Sequence, residues 1–198
     1  MTDLFQAGAD ATTLDDDEQQ GLIPSVLTRA QLNQLERANI QQARLWALKP
    51  GQRNRPDLLS DVFARELHRR MFNRVWRWAG KYRRTEKNLG WPVPRITEGV
   101  HQACDDARAW LGFGSYPLPE IAVRLHHRLV LIHPWANGNG RHARLFADVL
   151  MASRGGGELS WGAKSDLVEM GEVRRRYIEA IRRADNGDFA SLVSFAQS

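Results

Sequence analysis

Twelve consecutive residues, 133–144, bring together side chains that could handle a phosphate group. His133 can take a proton from a hydroxyl at neutral pH. Gly138 and Gly140 let backbone amides approach an anion closely, and the start of a following helix favours the same charge. Arg141 and Arg144 share a helix face, and guanidinium groups bind phosphate oxygens bidentately. A base beside a phosphate-binding loop predicts transfer chemistry on a nucleotide.

Two helices are predicted to hold this loop. Before it, an apolar stripe that starts near Pro119 and ends at Ile132 indicates a buried helix, which Pro134 terminates. After it, a second apolar stripe predicts a helix that starts close to Gly140 or Arg141. The histidine is therefore expected at the end of one helix and the two arginines at the start of the next.

The rest of the chain also predicts a mainly α-helical fold. Thr28 and Gln31 form a capping-box signature, which opens a helix that runs to about Leu48. Further helices are predicted over residues 57–79, 97–111, 166–184 and 189–196. Residues 81–96 interrupt this pattern with glycine and prolines between extended-favouring residues, and they predict an irregular hairpin.

Length and composition set outer limits. The 198 residues are 42 % hydrophobic, which suits one globular domain with a short extra arm. A single cysteine, Cys104, excludes an intrachain disulfide framework and fits a reducing compartment. Residues 1–20 have no apolar signal region, and the longest apolar runs are too short to span a bilayer. These features predict a cytoplasmic protein without a membrane partner.

Charge is unevenly distributed along the chain. Residues 1–20 contain six acids and no lysine or arginine, so the remainder has 28 basic and 17 acidic side chains, a formal charge of +11. Such a body attracts polyanions, although solvated surface charge is the simpler interpretation. The predicted organisation is a mobile acidic arm at 1–24, an N-terminal helix at 25–50 and the main domain at 51–198.

The loop sequence resembles the signature of the Fic family, His-Pro-Phe-x-Asp/Glu-Gly-Asn-Gly-Arg-x-x-Arg, with Trp135 in place of Phe and Asn137 in place of the carboxylate. The similarity extends over residues 57–196 and implies an all-α Fic-fold helical bundle with a short β-hairpin flap. It also implies a protein adenylyltransferase, which transfers AMP from ATP to a Ser, Thr or Tyr hydroxyl of a target protein or of its own chain. Residues 21–24 and 32–40 are similar to a bacterial subgroup labelled mobile mystery protein B.

The resemblance assigns roles to individual residues. His133 corresponds to the general base, and Asn137 falls at the Mg²⁺ position, where it offers one neutral oxygen instead of a carboxylate. The phosphate-binding set is implied to be Asn137, Gly138, Asn139, Gly140, Arg141 and Arg144, with Arg141 on the β-phosphate and Arg144 on the γ-phosphate. The flap that aligns the target corresponds to Arg83, Arg84, Thr85, Glu86, Lys87 and Asn88.

A regulatory contact is also implied. Many Fic proteins carry an inhibitory helix, Ser/Thr-x-x-x-Glu-Gly/Asn, whose glutamate pairs with the second arginine of the signature. Glu36 on the helix before the main domain is the corresponding candidate, although Leu32 and Arg37 occupy the other two positions of the pattern. This alignment predicts that Glu36 pairs with Arg144; an ordinary surface glutamate is the alternative interpretation.

Two alternatives to AMP transfer stay open from the sequence. The same fold could act as a phosphotransferase or use another nucleotide donor. It could also be a catalytically weak module that binds a protein or nucleic acid, which the basic body favours slightly. Nucleic acid is the less expected partner, because the chain has no aromatic-basic binding motif.

Overall fold

The computed structural model describes residues 14–26, 28–162 and 171–198, and these fold into helices joined by turns. In chain order the helices are α1 (Asp16–Gln19), α2 (Arg29–Ala47), α3 (Pro50–Arg53), α4 (Asp61–Phe72), the 3-10 helix η1 (Val93–Arg95), α5 (Ile96–Phe113), α6 (Leu118–Ile132), α7 (Asn139–Ser153), α8 (Glu172–Asp185) and α9 (Ala190–Gln197). No β-strand forms within these ranges, and the predicted mainly α-helical fold class is confirmed. Residues 166–170 of the helix predicted over 166–184 lie outside the described residues.

α6 and α7 lie at the centre of the fold. α6 packs against both α5 and α7, while α2 packs against α4 and α8 against α9. Phe63 and Phe72 from α4 and Phe146 from α7 are fully buried between these helices. Among the described residues no helix is long and apolar enough to cross a membrane.

The capping-box prediction for α2 is confirmed. Gln31 N donates to Thr28 Oγ1 and Thr28 N donates to Gln31 Oε1, both at 3.2 Å. This reciprocal pair satisfies two backbone amides that a helix start would otherwise leave without an intrahelical partner. The start of α2 is thus fixed, and with it the rotational position of its inward-facing residues.

α4 is shorter than the helix predicted over residues 57–79, because a side chain from α2 ends it. Asn39 Nδ2 donates to Arg70 O at 2.8 Å, and Arg74 N donates to Asn39 Oδ1 at 3.0 Å. If the helix continued, Arg74 N would donate to Arg70 O, and Asn39 bonds to both of these groups instead. Asn39 therefore terminates α4, and the chain turns so that Trp76 enters the core.

Residues 81–96 do not form the predicted hairpin. Arg83 N donates to Pro134 O at 2.9 Å and Trp91 N donates to Ile132 O at 3.1 Å, so the flap loop, residues 81–92, pairs with the end of α6. A hairpin needs N–H and C=O groups that face each other within the segment. Here the neighbouring loop takes those groups, and η1 then leads into α5.

The described part of the N-terminal segment, residues 14–26, contacts the main domain. Residues 14–23 pack on the turn after α4, where Arg77 N donates to Gly21 O at 2.8 Å and Ile23 N donates to Val75 O at 2.9 Å. Trp78 Nε1 donates to Glu18 O at 3.0 Å. These bonds place acidic α1 beside the flap loop. Residues 1–13 lie outside the described residues.

Candidate active site

His133 terminates α6 in a conformation that few side chains adopt. Its φ is 55° and its ψ is 58°, in the left-handed region that favours glycine. His133 is 9 % exposed, and its Nδ1 lies 3.4 Å from Val130 O. A ring nitrogen that faces a carbonyl bonds to it as the protonated nitrogen, which leaves Nε2 as the basic one.

The surroundings keep His133 neutral. The pKa of His133 is lowered to about 4, mainly by burial; the contact with Val130 O acts in the opposite direction, and the positive charges of Arg83 and Lys87 add to the lowering. At pH 7 the ring is therefore uncharged. This is the protonation state in which an imidazole can accept a proton from a hydroxyl.

Asn139 shapes the loop between α6 and α7. Trp135 N donates to Asn139 Oδ1 and Asn139 Nδ2 donates to Trp135 O, both at 2.9 Å. Both ends of this buried amide are therefore engaged inside the loop, in hydrogen bonds to the backbone of Trp135. Its backbone amide, at the first position of α7, remains the group through which Asn139 can contact a phosphate.

Gly138 precedes α7 at a position that accepts no side chain. Its φ is 81°, and a Cβ atom would lie 2.4 Å from Phe72 Cζ. Its amide donates to Asn137 Oδ1 at 2.6 Å. The same Asn137 oxygen lies 3.5 Å from Arg141 Nη2, so a neutral carbonyl oxygen sits among the donors at the start of α7. The Gly138 amide and the Arg141 guanidinium, which face this carbonyl oxygen, could bind a phosphate oxygen in the same way.

Glu36 pairs with the first arginine of the loop, which corrects the prediction of a pair with Arg144. Glu36 Oε2 lies 2.6 Å from Arg141 Nη1, and Trp76 Nε1 donates to Glu36 Oε1 at 2.7 Å. Glu36 is 2 % exposed, whereas the Arg141 side chain is 19 % exposed. The pair forms with Arg141 because α7 turns this residue toward α2 and α4, where its guanidinium also lies over the Phe72 ring.

Arg144 faces a different neighbour on α8. Its guanidinium lies 5.4 Å from the centre of the Tyr177 ring, and the Tyr177 hydroxyl lies 2.9 Å from His126 Nε2. No carboxylate of the described ranges pairs with Arg144. Two guanidinium groups therefore flank the start of α7, and within the described residues Arg141 is the one of the two that pairs with an acid.

The structure divides the six residues predicted to dock a target. The Arg83 side chain is fully buried, and Lys87 Nζ lies 2.5 Å from Glu18 Oε2, where its side chain is 6 % exposed. Thr85 is exposed, but its hydroxyl donates to Asp15 Oδ2 at 2.7 Å. The remaining three, Arg84, Glu86 and Asn88, are exposed.

His68 is a site residue that the sequence prediction missed. Gly80 N donates to His68 Nδ1 at 2.9 Å, so Nε2 carries the proton and donates to Asn137 O at 3.1 Å. The ring stacks on Trp135 at a centroid distance of 4.1 Å. The only signal in the sequence is a polar residue on the apolar face of α4, between Leu67 and Met71.

Buried histidines predict a loss of stability in mild acid. Burial is the main cause that lowers the pKa of each of five residues: His68, His126, His127, His133 and His142. An unfolded chain regains values near 6.5, so it binds more protons than the folded chain below that pH. Stability should be complete above pH 6.5 and fall with decreasing pH, by up to about 1.4 kcal/mol per pH unit for each histidine.

Urea unfolding followed by circular dichroism between pH 8 and pH 5 measures this effect. Replacing His127 with glutamine should make the pH dependence shallower, because it removes one of the five groups that gain a proton on unfolding. A urea midpoint that stays constant over this range in the unmodified protein contradicts the prediction.

Comparison with known proteins agrees with this geometry. Residues 58–151, from just before α4 to α7, match the Fic/DOC family. These residues form a Fic/DOC domain. The match includes the whole loop between α6 and α7 and both of its arginines, so the contacts described for His133, Arg141 and Arg144 are contacts of that domain.

Relatives of the Fic/DOC domain include protein adenylyltransferases. Protein adenylyltransferase Fic of Nematostella vectensis is 28 % identical over 135 residues, which are 66 % of this chain and 30 % of that protein. Protein adenylyltransferase fic-1 of Caenorhabditis briggsae is 31 % identical over 135 residues, 66 % of this chain and 25 % of that protein. The chain thus spans less than a third of the length of these two relatives.

Solved structures share the fold. Fic-1 (residues 134–508) of C. elegans superposes with a TM-score of 0.64 at 23 % identity, covering 91 % of this chain and 51 % of that one. BepC of Bartonella tribocorum, solved with bound AMPPNP, has a TM-score of 0.63 at 16 % identity and covers 92 % and 97 %. At these identities the likeness establishes the Fic fold of the Fic/DOC domain.

Proposed function

We propose that this chain transfers AMP from ATP to a Ser, Thr or Tyr hydroxyl of a target protein. The observation that carries the proposal is a buried, neutral histidine placed directly before the amide-rich start of α7. The names of its adenylyltransferase relatives support the activity. The bound AMPPNP and ADP in two structures of the same fold, from Bartonella tribocorum and Bartonella quintana, support the nucleotide.

The proposed reaction uses three groups of the chain. His133 Nε2 takes the proton of the target hydroxyl, and the hydroxyl oxygen forms a bond to the α-phosphorus of ATP. The bond between this phosphorus and the bridging oxygen to the β-phosphorus breaks, and pyrophosphate leaves. The amides at the start of α7 hold the phosphates, and Arg141 and Arg144 neutralise the leaving charge.

Bound triphosphate should strengthen the base. A pKa of about 4 in the free protein leaves His133 neutral but only weakly basic. The negative charge of the phosphates stabilises the protonated ring and raises this pKa toward the working pH. The base is thus expected to become effective when the nucleotide is in place.

Labelled ATP tests the proposal directly. After incubation with a cell lysate, protein should retain the label of [α-³²P]ATP and not that of [γ-³²P]ATP. Retained γ-label without α-label would overturn AMP transfer in favour of the phosphotransferase alternative. Intact mass of the purified chain after the same incubation determines whether it modifies itself.

The residues present fit a protein-bound Mg²⁺ poorly. Asn137 Oδ1 accepts from Gly138 N and lies near Arg141, so it is directed at donors. Within the part of the chain that the structure describes, no group of three His, Cys, Asp or Glu residues could hold a metal. We propose that any Mg²⁺ enters with the phosphates of ATP, which are its preferred ligands together with carboxylates.

Asn137→Asp should therefore increase the response to Mg²⁺. A carboxylate adds a charged ligand at a position that now has one neutral oxygen, and turnover at limiting Mg²⁺ is expected to rise by several-fold. Initial rates across a Mg²⁺ titration measure the effect, with Asn186→Asp at the exposed end of α8 as a control for added surface charge. Equal or lower turnover at all Mg²⁺ concentrations contradicts the assignment.

We further propose that Glu36 restrains Arg141. A guanidinium held at 2.6 Å by a buried carboxylate has to exchange that partner for a phosphate before it can contribute to transfer. Glu36→Gln keeps the acceptor for Trp76 Nε1 but removes the charge that holds Arg141. Self-modification should rise by about tenfold, the effect of about 1.4 kcal/mol on a barrier.

The matched control for Glu36→Gln is Glu120→Gln. Glu120 also pairs with an arginine, Arg124, but at the first turn of α6, away from the loop. Its replacement should leave the rate unchanged. A Glu36→Gln protein that unfolds at the normal temperature and modifies itself no faster excludes the restraint.

The mobile mystery protein B subgroup and the cytoplasmic location stay predictions.

A further inference from the structure

Arg83 is a buried charge whose main partners are backbone carbonyls. Nε donates to His133 O at 2.8 Å, Nη1 donates to Thr85 O at 2.9 Å, and Nη2 donates to Trp91 O. Its side chain has no exposed surface. The carboxylate of Glu86 lies 3.5 Å from Nη1 but is itself 65 % exposed. A guanidinium taken out of water in this way costs free energy, which its fixed set of hydrogen bonds has to offset.

These bonds fix the backbone on which His133 sits. Trp91 N donates to Ile132 O, Arg83 Nε donates to His133 O, and Arg83 N donates to Pro134 O. Three consecutive peptide groups are thus anchored by the flap loop. The middle residue is the one whose φ of 55° is unfavourable for a side chain other than glycine. Such a conformation persists where neighbouring structure imposes it.

Gly90 of the flap loop lies against the side chain of His133. Its φ is 103°, and a Cβ atom there would lie 2.5 Å from His133 Cβ and 3.0 Å from Arg83 Nη2. The backbone of the flap loop therefore lies directly against the histidine side chain. A larger residue would push either the loop or the ring out of place.

We propose that Arg83 is a positioning residue, which fixes His133 in its left-handed conformation and so aims the imidazole at the incoming hydroxyl. The inference rests on the proposed role of His133 as the base. It reassigns Arg83, which was expected to dock the target, because a fully buried guanidinium cannot reach another protein. The exposed Arg84, Glu86 and Asn88 keep the docking role predicted for them.

Arg83→Lys tests this role because it keeps the positive charge but replaces the planar guanidinium with a single ammonium group. A single ammonium cannot reproduce the geometry with which a guanidinium bonds three carbonyls. We expect kcat to fall by about tenfold to hundredfold, the effect of misplacing a reacting group by about 1 Å, while the Kd for ATP changes less than twofold. Arg108→Lys, at an exposed position on α5 to which no role in transfer is assigned, is the matched control and should leave both values unchanged.

An NMR pH titration of the His133 ring, assigned by its absence in His133→Ala, gives a readout that does not depend on transfer. In Arg83→Lys the midpoint should move up from about 4 toward the ordinary value of about 6.5, because the ring is no longer held in its buried position. A folded Arg83→Lys protein with the original kcat and the original midpoint overturns the proposal. If the chain transfers no AMP at all, the titration alone still decides whether Arg83 holds the ring.

Gly90→Ala provides a second route should Arg83→Lys fail to fold. It keeps Arg83 itself and presses a methyl group against His133 Cβ, at 2.5 Å, and against Arg83 Nη2, at 3.0 Å. A lower kcat with unchanged ATP affinity and a shifted His133 titration supports the positioning role of the flap loop. Normal kcat and normal titration in this variant overturn it. Thermal unfolding of each variant establishes that it is folded before either measurement.

Discussion

Replacing His133 with alanine is expected to lower AMP transfer by about 10²–10⁴-fold, the contribution of a positioned general base. The imidazole is the proposed acceptor for the proton of the target hydroxyl. The amides at the start of α7 and both arginines are unchanged in this variant, so ATP should still bind. Rates with [α-³²P]ATP and binding of ATP by calorimetry therefore separate the chemical step from nucleotide binding.

His101→Ala is the control for this substitution. His101 is exposed on α5, so its loss should affect neither binding nor transfer. A His133→Ala protein that retains more than a tenth of normal transfer would remove His133 from the role of base. Loss of transfer together with loss of ATP binding would instead indicate that the loop has collapsed.

The pH profile of transfer gives a second signature of the same group. The kcat/KM value reports the free protein, where the pKa of His133 is about 4, and the active form is the neutral one. It should therefore stay level from pH 8 down to about pH 5 and fall only as the pH approaches 4. The predicted loss of stability in acid falls in the same pH range, so circular dichroism at each pH has to accompany the rates. A fall centred on pH 6.5 in fully folded protein contradicts the buried state of the ring.

The central part of the fold was predictable because its signals are local. Pro134 ends α6, and Gly138 with the following apolar stripe fixes the start of α7. The neighbours in sequence dictate these boundaries through backbone conformation and helix capping. The position of the loop that carries the proposed chemistry can therefore be predicted from the sequence alone.

The end of α4 was not predictable in this way. Its apolar spacing continues to Trp78, but Asn39 from another helix bonds the groups that the next turn needs. The partner of Glu36 depends on tertiary packing too. Arg141 and Arg144 share a helix face in sequence terms, and only the placement of α2 and α8 determines which of them meets the carboxylate.

The flap loop shows the same limit for a charged residue. A run of basic and polar side chains predicts a solvated surface, since charged groups are rarely buried without partners. Arg83 is buried nevertheless, because its guanidinium donates to one carbonyl at the end of α6, His133 O, and to two in the flap loop itself, Thr85 O and Trp91 O. Nothing in the run distinguishes it from Arg84, whose side chain is exposed.

Gly138→Ala is the substitution expected to damage the loop most after His133. Alanine at a φ of 81° costs about 1–2 kcal/mol, and a methyl carbon 2.4 Å from Phe72 Cζ forces a shift in a packed core, which costs about 1–3 kcal/mol. The shift moves the first amides of α7, so ATP affinity should fall together with stability. Urea unfolding and ATP calorimetry on the same samples measure the two effects.

Two further variants separate the causes. Gly112→Ala, on α5 with nothing within 4 Å of the added carbon, should be neutral or slightly stabilising, because alanine favours a helix over glycine. In a Phe72→Leu background the ring contact is gone while the backbone strain remains, so Gly138→Ala should cost only about 1–2 kcal/mol there. If Gly138→Ala lowers the free energy of unfolding by the same amount in the Phe72 protein and in the Phe72→Leu protein, the Phe72 ring does not clash with the methyl group. The phosphate-binding loop would then depend on the left-handed glycine alone.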